Sequence, residues 1–243
     1  MEVCANGLSS ALAAQQGGAI RVELCDNLLE GGTTPSYAQI KLAIEKLHIQ
    51  LYPIIRPRGG DFLYTDLEFE LMKEDILLCK SLGCDGVVIG MLLADGRVDK
   101  QRCATLIDLA RPMKVTFHRA FDHSRDLKEA LADVIDLGCD RILTSGGKPG
   151  ALEGAAILKE LIALAAGRIE IMPGAGIREH NIKEIINLTG ASVFHATAKT
   201  RVLPAMDYVN VVLEQTATGD ESSYELTTAA AVRCLIEKAN DPQ

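Results

Sequence analysis

Gly83-Cys84-Asp85-Gly86-Val87 decides how the chain is read, because its pattern of glycine, small residue, spacer and apolar run returns elsewhere. The other copies are Gly18-Ala19-Ile20-Arg21-Val22, Gly138-Cys139-Asp140-Arg141-Ile142 and Gly190-Ala191-Ser192-Val193-Phe194. Each glycine closes an amphipathic helical stretch, where a left-handed C-cap is favoured, and each precedes a short β-rich run. The copies lie roughly fifty to sixty-five residues apart, about two strand–helix units. Between them fall four further apolar runs, Glu2–Cys4, Leu51–Ile55, Met113–Phe117 and Ile169–Met172, which completes eight predicted strands.

Helical periodicity fills the intervals: Ser9–Gln16, Tyr37–Leu47, Leu67–Leu82, Asp99–Ala110, Leu127–Leu137, Leu152–Ala166, Glu179–Leu188 and Thr227–Ala239. Strict alternation of strands and helices favours an α/β fold closed as a (β/α)8 TIM barrel over an open doubly wound sheet. No linker rich in Pro, Gly or Ser divides the chain, so residues 1–243 are read as one domain, with a mobile loop expected near Thr216–Ser223.

Composition agrees. Nearly half of the residues, 48%, are hydrophobic and Trp is absent, so the core must be aliphatic, as close-packed helix-on-sheet layers require. A net charge of −8 with no long Lys or Arg run argues against nucleic-acid and anionic-membrane partners. The segment Met1-Glu2-Val3-Cys4 lacks a basic signal-like start and no apolar run reaches membrane-spanning length. A cytoplasmic location is expected, with the seven cysteines as reduced thiols.

Strand alternation predicts which side chains enter the barrel. With Val3, Val22, Leu24, Ile55, Val115 and Phe117 facing the helices, Glu2, Cys4, Glu23, Cys25, Arg56, Thr116 and His118 face inward; Ser145 and His195 join them at later strand ends. Buried ionisable groups are costly unless they pair or meet a ligand, and the C-terminal strand ends are where this fold places its sites. Glu2, Glu23 and Arg56 therefore form a structural ion-pair network or part of a site, and Glu23 and Arg56 are expected to pair. Three glycine-rich loops follow strands on the same rim. They are Glu30–Ser36, the Arg56–Phe62 loop carrying Arg56 and Arg58, and Pro173-Gly174-Ala175-Gly176-Ile177. Such loops suit a small carboxylated or phosphorylated ligand.

The stretches Arg21–Cys25, Glu30–Ser36, Ile55–Phe62, Thr116–Asp122, Leu143–Gly146 and Gly174–Gly176 resemble the signature segments of the CutC family of copper homeostasis proteins, over Met1 to about Asn210. The resemblance implies a TIM barrel, a cytoplasmic setting, homo-oligomers and a role in copper homeostasis. Cu(I) is soft and favours thiolates. Cys4 and Cys25 sit at one height on neighbouring inner strands and are the metal-ligand candidates, with His118 or His195 as a third donor. Cys84 and Cys139 occupy the position that Ala19 and Ala191 fill elsewhere, which points to packing; Cys79, Cys103 and Cys234 fall in helices, and His48, His123 and His180 in outer or loop positions.

An alternative is a barrel enzyme, metal-independent or metal-assisted. Glu2, Glu23, His118 and His195 would supply general acid and base, and Arg56, Arg58, Ser145, Gly174 and Gly176 would hold a small anionic metabolite. A harder metal on the Glu and His groups, zinc or manganese, is a variant. Schiff-base chemistry fits less well, since Lys148 and Lys199 are expected in loops.

Overall fold

In the computed structural model, which describes residues 1–203, 205–208, 210 and 223–241, strands and helices alternate as the sequence requires. The strands are β1 (Glu2–Ala5), β2 (Arg21–Leu24), β3 (Gln50–Pro53), β4 (Gly86–Ile89), β5 (Lys114–Phe117), β6 (Arg141–Thr144), β7 (Glu170–Pro173) and β8 (His195–Ala196). The helices between and after them are α1 (Leu8–Gln16), α2 (Tyr37–Lys46), α3 (Asp66–Leu82), α4 (Lys100–Ala110), α5 (Leu127–Asp136), α6 (Ala155–Ala165), α7 (Ile182–Thr189) and α8 (Ala229–Asn240). A hairpin of β9 (Lys199–Val202) and β10 (Tyr224–Thr227) stands between β8 and α8, where no strand was expected. Residues 216–222 of the expected mobile loop lie outside the described residues.

All pairings among the first eight strands are parallel. Two four-stranded ladders run β3-β2-β1-β8 and β4-β5-β6-β7. They meet where Ile54 bridges Val88 and the Ile55 N–H donates to the Val88 carbonyl at 2.8 Å. The first strand pairs with β8 as well as with β2, Glu2 opposite His195, so the sheet curls back on its own start. On its other side β8 meets the end of β7, where Gly174 packs against His195, and with that contact the eight strands make a (β/α)8 barrel, not an open doubly wound sheet.

Alternation sorts the side chains into two apolar groups. Val3, Val22, Leu24, Val87, Ile89, Val115, Phe117, Ile142 and Ile171 face the helices and belong to the main core. Cys4, Cys25, Tyr52, Ile54 and Val88 cluster apart from it, inside the barrel. Lower in the barrel the filling is polar. Arg21 pairs with Glu2, Arg141 pairs with Glu170 and donates to the Thr116 hydroxyl at 3.1 Å, and both guanidinium groups stand over the Tyr52 ring, at 5.3 and 5.7 Å. Two buried cations sharing one aromatic ring and each meeting a carboxylate fill the bottom of the barrel.

The helix starts are fixed from the loops that follow the strands. Ser36, Thr65, Asp99 and Asp126 accept hydrogen bonds from the first-turn N–H groups of α2, α3, α4 and α5, and at α3 Glu68 returns the bond to complete a capping box. Among the described residues no helix is long and apolar enough to cross a membrane.

Candidate functional site

The strand ends open into a cavity of about 460 Å³. Its lining includes Cys4 of β1, Glu23 of β2, Arg56 after β3, His118 after β5, Leu143 of β6, Gly176 after β7 and His195 of β8, so seven strands contribute to one bowl. Cys4, Glu23, Arg56, His118 and His195 are all buried despite lining it.

At the base, Glu2 accepts from His195 Nδ1 at 2.7 Å and also from Arg21. Burial alone would raise the Glu2 carboxyl, but the His195 hydrogen bond and the charges of His195 and Arg21 outweigh it and hold the group at about 2. Glu2 is thus a fixed anion, and because it accepts at Nδ1 it turns Nε2 of His195 toward the cavity. Burial works against a charged His195, but the carboxylates of Glu23 and Glu2 raise its pKa above the ordinary value. The Nε2 atom lies 4.0 Å from Glu23 Oε1.

Cys4 Sγ is 3.7 Å from Cys25 Sγ and 3.4 Å from Glu23 Oε1. The neighbouring Cys25 thiol, then burial, then the Glu23 charge push the Cys4 thiol well above its usual pKa. Burial also raises Glu23. Donor atoms of Cys4, Glu23 and His195 all lie within 4.8 Å of one another, close enough to surround one metal ion. Cys25 is fully buried behind Cys4, with Gly32 packed against its side chain; its Sγ lies 3.6 Å from the Ala5 carbonyl.

His118 differs from His195 in its partners and its charge. The Ala120 N–H donates to its Nδ1 at 3.1 Å, burial and then the Arg56 charge lower its pKa to about 3, and the ring rests against Phe62 at 5.1 Å. It is a neutral imidazole with its hydrogen on Nε2. Gly90 makes this possible, since a Cβ there would stand 2.5 Å from the ring.

Several expectations need correction. Arg56 does not pair with Glu23; its guanidinium donates to the carbonyls of Glu30, Gly32 and Gly60, each at 2.8 Å, and tilts over Phe62. Arg58 is not brought to the cavity. It turns to Glu68, Asp61 and three loop carbonyls, so it fastens the Arg56–Phe62 loop to α3. Ser145 and Gly174 stand behind the wall: Ser145 bonds Asp122 and the Lys148 carbonyl, and Gly174 leaves room for Leu143 and His195. Lys199 sits in β9 rather than a loop, bonded to Glu225, and lines the cavity.

Sequence reasoning missed Asp122, which accepts from Thr144, Ser145, Gly147 and Arg119 and so ties the loop after β5 to the loop after β6. It also missed Arg21, although extending the β2 alternation by one residue places it inside. His123, read as a loop residue without a role, lines the cavity beside Phe62, and so do Arg119 and Arg178. Cys79, Cys84, Cys103 and Cys139 are buried in the helical shell's core, away from the cavity lining.

A family model described as the CutC family matches residues 1–200. A family protein CutC of Chromobacterium violaceum is 52% identical over 238 residues, 98% of this chain and 96% of the relative. A mouse protein named copper homeostasis protein cutC homolog is 45% identical over 243 residues, 99% of this chain and 89% of the relative. A crystal structure of CutC from Streptococcus agalactiae matches with a TM-score of 0.77 at 38% identity, covering 81% of this chain and 97% of that one.

Proposed function

This chain belongs to the CutC family of copper homeostasis proteins, and we propose that it serves copper homeostasis in the cytoplasm by holding one Cu(I) ion between the sulfurs of Cys4 and Cys25. The observation that carries this reading is the 3.7 Å separation of two buried, unbridged thiols, Cys4 lining the bowl and Cys25 directly behind it. A metal–thiolate bond of about 2.3 Å, the length found for zinc, gives two such bonds on these sulfurs an angle far from linear. That leaves one side of the ion open to a third donor. His195 is the suitable one on the Cys4 side, where its donor atom lies within 4.8 Å of the Cys4 sulfur, since imidazole matches a soft ion better than the Glu23 carboxylate does; Cys25 joins through its contact with Cys4. Glu2, through Nδ1, is the outer partner that orients this imidazole.

Binding requires loss of the Cys4 proton, and Glu23 Oε1 at 3.4 Å is placed to receive it. Because the thiol sits well above its usual pKa, Cu(I) affinity rises with pH through the neutral range. The test is a Cu(I) titration against a chromophoric competitor. One ion binds per chain, and binding is lost in the Cys4→Ser, Cys25→Ser double variant but kept in the Cys79→Ser, Cys103→Ser control. Retention of stoichiometric Cu(I) by the first double variant refutes the site.

A further inference from the structure

One ion coordinated by Cys4, Cys25 and His195 uses only the base of a cavity that is within the size range of small-molecule sites. The remainder is lined by three residues with a buried polar atom that has no partner: Nε2 of His118, Oε2 of Glu23 and Nε of Arg56. Native proteins rarely leave such atoms unmet, and three on one cavity point to what is meant to meet them. The His118 atom is a fixed hydrogen-bond donor, because Ala120 occupies Nδ1. The charge around it is positive. Arg56 is a buried cation held by three carbonyls, and among the described residues no carboxylate lies within ion-pair distance of it. At the mouth stand Arg119 and Arg178; the Arg178 guanidinium has no ion pair or hydrogen bond among the described residues. Beside it the Ala175-Gly176 turn has two consecutive positive φ angles, 72° and 70°.

We propose that this part of the cavity binds a small hydroxylated organic anion, a hydroxycarboxylate or its phosphate-ester counterpart. An oxygen of the ligand accepts from His118 Nε2–H in the field of Arg56. A hydroxyl group meets Glu23 Oε2, and suits it whether that carboxyl is protonated or not, since a hydroxyl both donates and accepts. The anionic end lies toward Arg178. Of the four cations on the cavity, Arg119 and Lys199 are already paired with Asp122 and Glu225, which leaves Arg56 and Arg178 to meet the anionic end. The groups that hold the anion, His118, Arg56 and Arg178, are none of the proposed copper ligands, and Glu23 is the residue the two sites share.

Metal-free protein is titrated with inorganic phosphate, glycerate and glycerol 3-phosphate by calorimetry, and the His118 Nε2–H resonance is followed by imidazole NMR. At least one probe shifts that resonance at millimolar concentration, and comparison of the three separates carboxylate from phosphate recognition. Its Kd rises about tenfold or more in His118→Phe, which removes the donor, and by much less in His118→Gln, which retains one. Because the titration is made on metal-free protein, its outcome does not depend on whether Cu(I) binds, which separates this site from the copper reading. The proposal is overturned if none of the three shifts the wild-type resonance or if affinity is equal in His118→Phe.

Discussion

Replacing Glu2 by Gln removes a buried charge while keeping the side chain's shape, and its cost follows from the surroundings. Glu2 is the anion shared by Arg21 and His195, all three buried. Its carboxyl is lowered from 4.5 to about 2. Linkage turns that difference into about 3 kcal/mol of stability, the same size as the cost of about 3–5 kcal/mol usually found when one member of a buried ion pair is removed. A depressed carboxyl contributes fully above its unfolded value and loses the contribution as pH falls toward the folded one. Wild-type protein should therefore weaken between pH 4.5 and about 2. The His195 part has the opposite sign: its pKa is raised, so its stabilisation is present at low pH and fades as pH climbs through the raised value. Urea and thermal unfolding of both proteins at neutral and acid pH measure the difference. At pH 7 the variant should lose about 3 kcal/mol, or about 6–12 °C in Tm for a chain of this size, and its acid limb should be shallower. A loss below about 1 kcal/mol with an unchanged acid limb would refute the placement of Glu2 as a buried, fully ionised partner.

His118, held at about 3, should show one neutral Nε2–H tautomer by imidazole NMR from pH 7 to pH 4, whereas an ordinary histidine protonates near 6.5. Since the unfolded chain takes up that proton first, stability should rise with pH between about 3 and 6.5, and His118→Phe should flatten that slope. Gly154→Ala would put a Cβ 1.8 Å from the Ser145 carbonyl oxygen, a backbone atom that cannot yield by rotation, and should lower stability by about 3 kcal/mol in denaturant unfolding. Thr65→Ala should cost about 1 kcal/mol by the same measurement through loss of the α3 capping box, without altering Cu(I) stoichiometry.

The barrel was legible because its period-two pattern is nearly uninterrupted. Val3 between Glu2 and Cys4, and Val22 and Leu24 around Glu23, give each strand an unambiguous outer face, and capping glycines mark the helix ends. The thiol pair was legible for the same reason, since Cys4 and Cys25 share one parity on adjacent strands. Arginines were harder. A long stem carries its charge several ångströms from the backbone, and partners distant in sequence decide where it goes. Arg58 turned to Glu68, Arg56 to carbonyls of two loops, and Arg21 to Glu2, none of which alternation alone specifies. The difference between the two inner histidines was hidden too, because it depends on a carboxylate 193 residues away for His195 and on a backbone N–H two residues away for His118. The β9–β10 hairpin has only the short Tyr224/Leu226 alternation in β10 to announce it and none in β9, and its strands are mostly exposed or half-buried.

Copper K-edge X-ray absorption on the Cu(I)-loaded protein tests the central claim most directly. Two sulfur scatterers and one lighter donor are expected, falling to one sulfur in Cys4→Ser. A first shell of nitrogen and oxygen alone, or a spectrum unchanged when Cys4 and Cys25 are both replaced, would contradict it.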